Sequence, residues 1–257
     1  MLKREDTASL SALNPTGLIF YHGISQIDKT SQIVGIITLN SDNKKTGNMG
    51  QSWIIPDNNL SPVDNAREGS DFSVCGDCKH RPENMGSCYV TLFQAPLQIW
   101  KTYSKYKYPV IDLTTRNNFL YERPLRLGAY GDPVAIPFEV WESLLRENNI
   151  TSTTGYTHQW NNCDQRFKFI LMASVDSKEE LSRARKLGWR TFRVTNDLSS
   201  LEEREFICPA SEEAGKKKTC LECRACDGVS SSTPRKASPV ILVHGARKTG
   251  FTIDETV

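Results

Sequence analysis

Residues 169–194 read FILMASVDSKEELSRARKLGWRTFRV, and the punctuation of this stretch decides the fold class. Phe169–Val175 is a short apolar run of the kind that a buried strand requires. From Ser177 the pattern turns helical: Ser177 suits an N-cap, Glu180 is placed to return the bond as a capping box, and Gly188 follows the last helical residue. Arg190–Val194 is a second strand. Strand, helix and strand in so short a span form a βαβ unit, which brings parallel neighbours together.

The same rhythm extends in both directions. Leu125–Ala129 reads as a strand, followed by a helix from Pro137 to Asn148 with Phe138, Trp141, Leu144 and Leu145 on one face. Thr153–Thr157 is a weaker strand, and Glu205–Cys208 and Val240–Val243 complete the series. The predicted class is therefore α/β, with parallel βα units forming a partial barrel or an open sheet. Ahead of it, Gly17–Tyr21, Val34–Leu39 and Ser52–Ile55 read as a β meander, with Asn59–Ser70 as a loop. Leu92, Ile99, Trp100 and Tyr103 recur at helical spacing until Pro109 stops the pattern. The chain divides into an N-terminal β-rich segment, 1–70, packed on an α/β domain, 71–257.

Bulk properties exclude several classes. With 32 Lys+Arg against 30 Asp+Glu, the net charge of +2 gives no overall field that would draw nucleic acid or a membrane. The longest apolar stretches, Val34–Leu39 and Phe169–Ala173, are too short to span a bilayer. The charged start, Met1 to Asp6, lacks the apolar region of a secretory signal. A reducing, cytoplasmic setting follows, in which the eight cysteines are more naturally metal ligands than disulfides.

Seven of them fall into two sets. Cys75, Cys78 and Cys88 follow C-x2-C-x9-C, with His80 near enough to act as a fourth ligand. Such a set completes a zinc site with His80, or holds an iron–sulfur cluster that leaves one iron open to a small molecule. Cys208, Cys220, Cys223 and Cys226 follow C-x11-C-x2-C-x2-C, nearer to the cysteine runs of iron–sulfur proteins than to paired zinc knuckles. Residues 212–239 around them are polar and too long to be structureless in a compact domain, so a bound metal is expected to fold them. Cys163 stands alone and reads as a packing residue.

A third constellation comes from the C-terminal ends of the strands, where parallel α/β architectures collect their working residues. Asp132, His158, Asp176, Asn196, Cys208 and His244 fall there, and Asp132, His158, Asp176 and His244 are the candidate catalytic residues. Asp132 and Asp176 are each also explained as turn or helix-cap residues. Arg126 and Arg193 lie within strands, where a guanidinium pairs with a carboxylate or with a phosphate of a bound group; with Asn196 they are the candidate cofactor contacts. Lys216–Lys218, Arg235–Lys236 and the Trp100–Tyr108 stretch with Lys101, Lys105 and Lys107 read as solvated faces or phosphate-binding patches. Gly47, Gly50, Gly128 and Gly131 form neither a Walker A loop nor a dinucleotide fingerprint. A zinc hydrolase ranks last, since no carboxylate is placed beside either cysteine set.

Several segments carry a resemblance: NKKTGNMGQSW (43–53), VCGDCKHRPENMGSCYV (74–90), RLGAYGDP (126–133), GYTHQW (155–160), MASVDS (172–177), GWRTFRV (188–194) and Cys208–Cys226. Together they resemble a family of uncharacterised, cysteine-rich proteins of bacteriophages and mobile elements, which implies a bacterial host cytoplasm. More loosely, the chain is similar to radical S-adenosylmethionine enzymes, whose partial βα barrel (a partial TIM barrel) holds a three-cysteine cluster in a loop ahead of a helix. Some of those enzymes carry an auxiliary cluster near the C-terminus. Their usual spacing is C-x3-C-x2-C, and this chain departs from it. The similarity implies an iron–sulfur enzyme with S-adenosylmethionine as a cofactor. The alternative is a zinc-stabilised, non-enzymatic module that binds nucleic acid or a host protein.

Overall fold

Alternation along the strands organises the molecule, as seen in a computed structural model that describes residues 14–84, 86–199, 201–229 and 236–252. Nine strands form one sheet: β1 (Gly17–Ile24), β2 (Gln32–Thr38), β3 (Gly50–Pro56), β4 (Leu125–Tyr130), β5 (Thr153–Thr157), β6 (Met172–Val175), β7 (Thr191–Thr195), β8 (Glu205–Ile207) and β9 (Ser238–Leu242). Their spatial order is β1-β2-β3-β4-β5-β6-β7-β9-β8. The pairs β1–β2 and β2–β3 are antiparallel, and every pair from β3–β4 onward is parallel. The class is thus α/β with a mostly parallel, mixed sheet.

Helices are fewer than a strict βα alternation predicts. Three short ones, α1 (Pro62–Glu68), α2 (Phe72–Cys75) and α3 (Ala95–Tyr103), lie between β3 and β4. The crossovers α4 (Phe138–Glu147) and α5 (Lys178–Lys186) serve β4–β5 and β6–β7, while α6 (Cys220–Cys223) lies between β8 and β9. Between β5 and β6 there is only a 3-10 segment, Gln165–Phe169, and it corrects the predicted strand from Phe169. Asp164 caps that segment by accepting the Arg166 N–H at 2.9 Å, so Phe169 stays half exposed and only Met172–Val175 enters the sheet. Residues 59–70 also differ from the expected loop. Ser61 accepts the Asp64 N–H, Pro62 occupies the first turn and Gly69 closes α1 in the left-handed region, a start-and-stop signal that outweighs the loop-like composition. Ser177 caps α5 as predicted, but the Glu180 carboxylate takes the Asp176 N–H at 2.7 Å instead of that of Ser177, leaving half a capping box.

The two faces of the sheet are covered differently. On one, Leu18, Ile33, Ile54, Leu125, Leu127, Ala173 and Val175 pack with Trp141 and Leu144 of α4 and Leu181 and Ala184 of α5. On the other, Ile19, Val34, Ile36, Trp53 and Ile55 meet Ile99 and Trp100 of α3 at one end. At the opposite end, Met172, Phe192 and Ile241 meet Cys208, Ala210 and Cys226. Between those patches, the inward residues of the central strands are left uncovered by α4 and α5.

Arg193 pairs with Glu205 across 2.7 Å, both side chains nearly fully buried. Its register partners are Val175 and Val240, so it shares the face of the α4–α5 core and not the bare one. Among the described residues no helix is long and apolar enough to cross a membrane. The charged start, Met1 to Asp6, and Arg235 lie outside the described residues.

Glu205→Ala strips the Arg193 guanidinium of its carboxylate in a buried position. The expected loss is about 3–5 kcal/mol of stability, read as a lower urea midpoint at unchanged slope.

Candidate functional site

The bare stretch of the sheet is the floor of a cavity of about 320 Å³, at the small end of the range for small-molecule sites. Period-two alternation turns Arg126, Thr154, Tyr156, His158, Ser174, Phe192 and Val194 into it while their neighbours enter the core. The loop after β3 brings Cys75, Cys78, His80 and Cys88 to its rim. Lys45 of the β2–β3 loop, Cys220 and His244 stand on other parts of its wall.

A buried guanidinium pins the first cysteine loop. Arg81 donates to both Asp71 Oδ1, at 2.6 and 3.1 Å, and to the Gly69 carbonyl at 2.7 Å. The Cys88 N–H then bonds the His80 carbonyl at 3.0 Å, folding the x9 segment back beside the x2 knuckle. Burial is the main cause that pushes the three thiols up, Cys78 to about 12 and Cys88 to about 11; neighbouring sulfurs add to it at Cys75 and Cys88, and Asp176 and Asp132 at Cys78.

The second set is assembled the same way. Thr219 and Glu222 form a reciprocal capping box on α6, and the Cys220 N–H bonds the Lys45 carbonyl at 2.9 Å. Arg190, buried at the base of β7, donates to the carbonyls of Ala225, Gly228 and Ala237 at 2.6–2.9 Å and to Asp227 at 2.7 Å. Those bonds gather the loop that carries Cys223 and Cys226. The thiols of Cys208, Cys220, Cys223 and Cys226 interact electrostatically with one another, and Lys45 and Arg126 supply positive charge beside Cys220. Burial pushes Cys226 up to about 12, against a hydrogen bond with Tyr156 that lowers it.

Among the described residues the one group of three ligand residues close enough to share an ion is His80, His158 and Asp176, whose ligand atoms all lie within 4.8 Å of one another. His80 is turned away from the thiols: its Nδ1 lies 2.7 Å from Ser87 Oγ and its Nε2 2.8 Å from Asp176 Oδ2. Asp132, His158 and Asp176 come together because β4, β5 and β6 are parallel neighbours that end at one level. Asp132 accepts from the Val134 N–H, the Thr157 hydroxyl and the His158 N–H, so it holds the β5 end in place. Burial dominates its titration and raises its pKa. Burial would raise Asp176 too, but His80, His158 and Lys79 outweigh it and the net shift is downward.

His244 sits elsewhere on the wall, stacked on Tyr89 at 5.4 Å, and burial with the Lys45 charge lowers its pKa. Arg126 donates to the Tyr89 hydroxyl at 2.5 Å. Arg193 is tied to Glu205 away from the cavity, and Asn196 is exposed. Lys45, Tyr89, Arg190 and Ser87 have no motif to announce them; only their positions in space join them to the cysteine loops. Gly131 is required where it stands, since its φ is +77° and a Cβ would lie 2.5 Å from the Ile54 carbonyl.

The chain was compared with protein-family models, curated proteins and solved structures, and nothing matches.

Cys163 belongs to neither set, and burial pushes its thiol up to about 12. At pH 8 its thiolate fraction is on the order of 10⁻⁴, so iodoacetamide should label it about a thousandfold more slowly than free cysteine. Peptide mapping after timed alkylation measures this.

Proposed function

We propose that the cavity is the reaction chamber of an iron–sulfur enzyme of radical S-adenosylmethionine type, encoded by a phage or mobile element, with the sheet as its partial barrel. Cys75, Cys78 and Cys88 are the ligands of a cluster with one open iron, and Cys208, Cys220, Cys223 and Cys226 those of an auxiliary cluster. The carrying observation is that two cysteine sets far apart in the chain flank one cavity over the bare face of parallel strands.

One feature of the first donor set favours a cluster over a single zinc ion. With both ring nitrogens of His80 engaged by Ser87 and Asp176, that set offers three protein ligands, the number that leaves one iron open. The cysteine loop follows β3, the first parallel strand, and precedes α3, as in the enzymes that the chain resembles. A cluster held by these cysteines would supply single electrons to a small molecule bound in the cavity.

The chain's own residues then bind and orient that molecule and the substrate. Arg126 and Lys45 offer fixed positive charge to anionic groups. Tyr130 Oη and Thr154 Oγ1, buried and without hydrogen-bond partners, are poised to bond a polar ligand, since leaving each unpaired costs about 1–3 kcal/mol. Asp132 positions His158 through the backbone, and His244, kept neutral by burial and Lys45, can accept or donate a hydrogen bond beside Tyr89. Tyr156 and Phe192, with ring centroids 4.4 Å apart, exclude water from the floor.

Anaerobic purification followed by reconstitution with iron and sulfide tests the reading. The expected product is brown, contains iron and acid-labile sulfide, and loses about half of both in Cys78→Ser and the other half in Cys223→Ser. S-adenosylmethionine should alter the electron paramagnetic resonance spectrum of the reduced wild-type protein and not that of Cys78→Ser. A colourless protein that takes up zinc alone would overturn the proposal in favour of a zinc-stapled module.

A further inference from the structure

We propose a second kind of metal site in the same cavity: His80, His158 and Asp176 form a mononuclear centre for a divalent first-row transition ion, distinct from the sulfur ligands. The ligand atoms of these three residues all lie within 4.8 Å of one another. Two imidazoles and one carboxylate are the donor set that binds such ions while leaving coordination positions open, and both imidazoles line the cavity.

The geometry asks for more than a histidine–aspartate hydrogen bond. A simple dyad would use His80 Nε2 and Asp176 Oδ2, 2.8 Å apart, and nothing else. Yet His158 Nε2 is buried beside them with no hydrogen-bond partner, and so is the second carboxylate oxygen, Asp176 Oδ1, on a side chain that is 2 % exposed. The two rings meet edge to face with centroids 5.3 Å apart, and a nitrogen of each lies within 4.8 Å of the other and of an Asp176 oxygen. A cation there replaces the proton shared by His80 and Asp176 and gives His158 Nε2 a partner.

The surroundings hold the ligands as a metal site requires. Ser87 Oγ, 2.7 Å from His80 Nδ1, leaves Nε2 as the nitrogen aimed inward. Asp176 is fixed through its N–H by Glu180, and His158 through its N–H by Asp132. Phe251 stacks on the His80 ring at 5.7 Å and shields it. His158 and Asp176 stand at the ends of neighbouring parallel strands, a rigid base, while His80 comes from the loop pinned by Arg81. One group opposes a cation: Lys79 Nζ lies 3.4 Å from Asp176 Oδ2. Its side chain is 28 % exposed, so it can swing into solvent when an ion enters.

That opposition separates the proposal from a structural role for the triad. Cobalt(II) is added to anaerobically purified protein, with the cysteine sets in whatever state they are isolated, and binding is followed by equilibrium dialysis. The wild-type chain should bind one equivalent more tightly than His158→Ala or Asp176→Asn by over about 100-fold, and than Ser87→Ala by about 10–100-fold. Lys79→Ala should bind more tightly than wild type, a gain that loss of packing cannot produce. Cys78→Ser and Cys223→Ser should keep the cobalt site even where they lose iron and sulfide, so the two metal readings fail separately. Circular dichroism checks folding, and Asp176→Asn preserves shape if His158→Ala does not fold. Equal cobalt affinity in wild type and Asp176→Asn, or loss of the site in Cys78→Ser, would refute it.

Discussion

Everything at the site depends on the two-residue alternation of a mostly parallel sheet whose crossover helices α4 and α5 both lie on one face. Because α4 and α5 cover the side of Leu125, Leu127, Ala173 and Val175, the side of Arg126, Tyr156, His158 and Phe192 has to be covered by something else. α3 does so at one end and the loop after β8 at the other. What lies between is a cavity with a polar and aromatic floor and cysteine loops on its rim.

Both loops are poor in apolar side chains, so burial alone cannot hold them. Each is gathered by one buried guanidinium: Arg81, with Asp71, under the first, and Arg190, bonded to three carbonyls and Asp227, under the second. Arginine suits this task because its planar fork presents several donors at fixed angles and stays charged. Burial disfavours the thiolate forms and raises the thiol pKa values, and a bound metal cation would offset that cost by stabilising the thiolates it coordinates. On the proposed reading, metal binding and loop folding are therefore one equilibrium.

Strand topology adds a second consequence. β9 enters between β7 and β8, so the chain leaves the edge of the sheet, builds the second cysteine loop over the face, and returns inside it. Cys208 follows the edge strand and Cys226 lies beside Tyr156 in the middle, which draws the long segment across the sheet. The ends of β4, β5 and β6 meanwhile bring Asp132, His158 and Asp176 to one level without any long loop.

The α/β class and the capped helix after Ser177 were legible in the chain alone, because caps and periodicity act over a few residues. The helix Pro62–Glu68 was signalled by Ser61 and Pro62, yet its composition resembles a turn; the start of β6 was hidden because an apolar run does not reveal where a 3-10 turn ends. Which arginine mattered was not legible either. Arg193 and Arg190 differ by three positions, and only the face each occupies separates an ion pair with Glu205 from the clamp on the cysteine loop. His80 likewise turns from the nearby thiols to Asp176, ninety-six positions away, because side-chain direction is set by the packed backbone and not by distance along the chain.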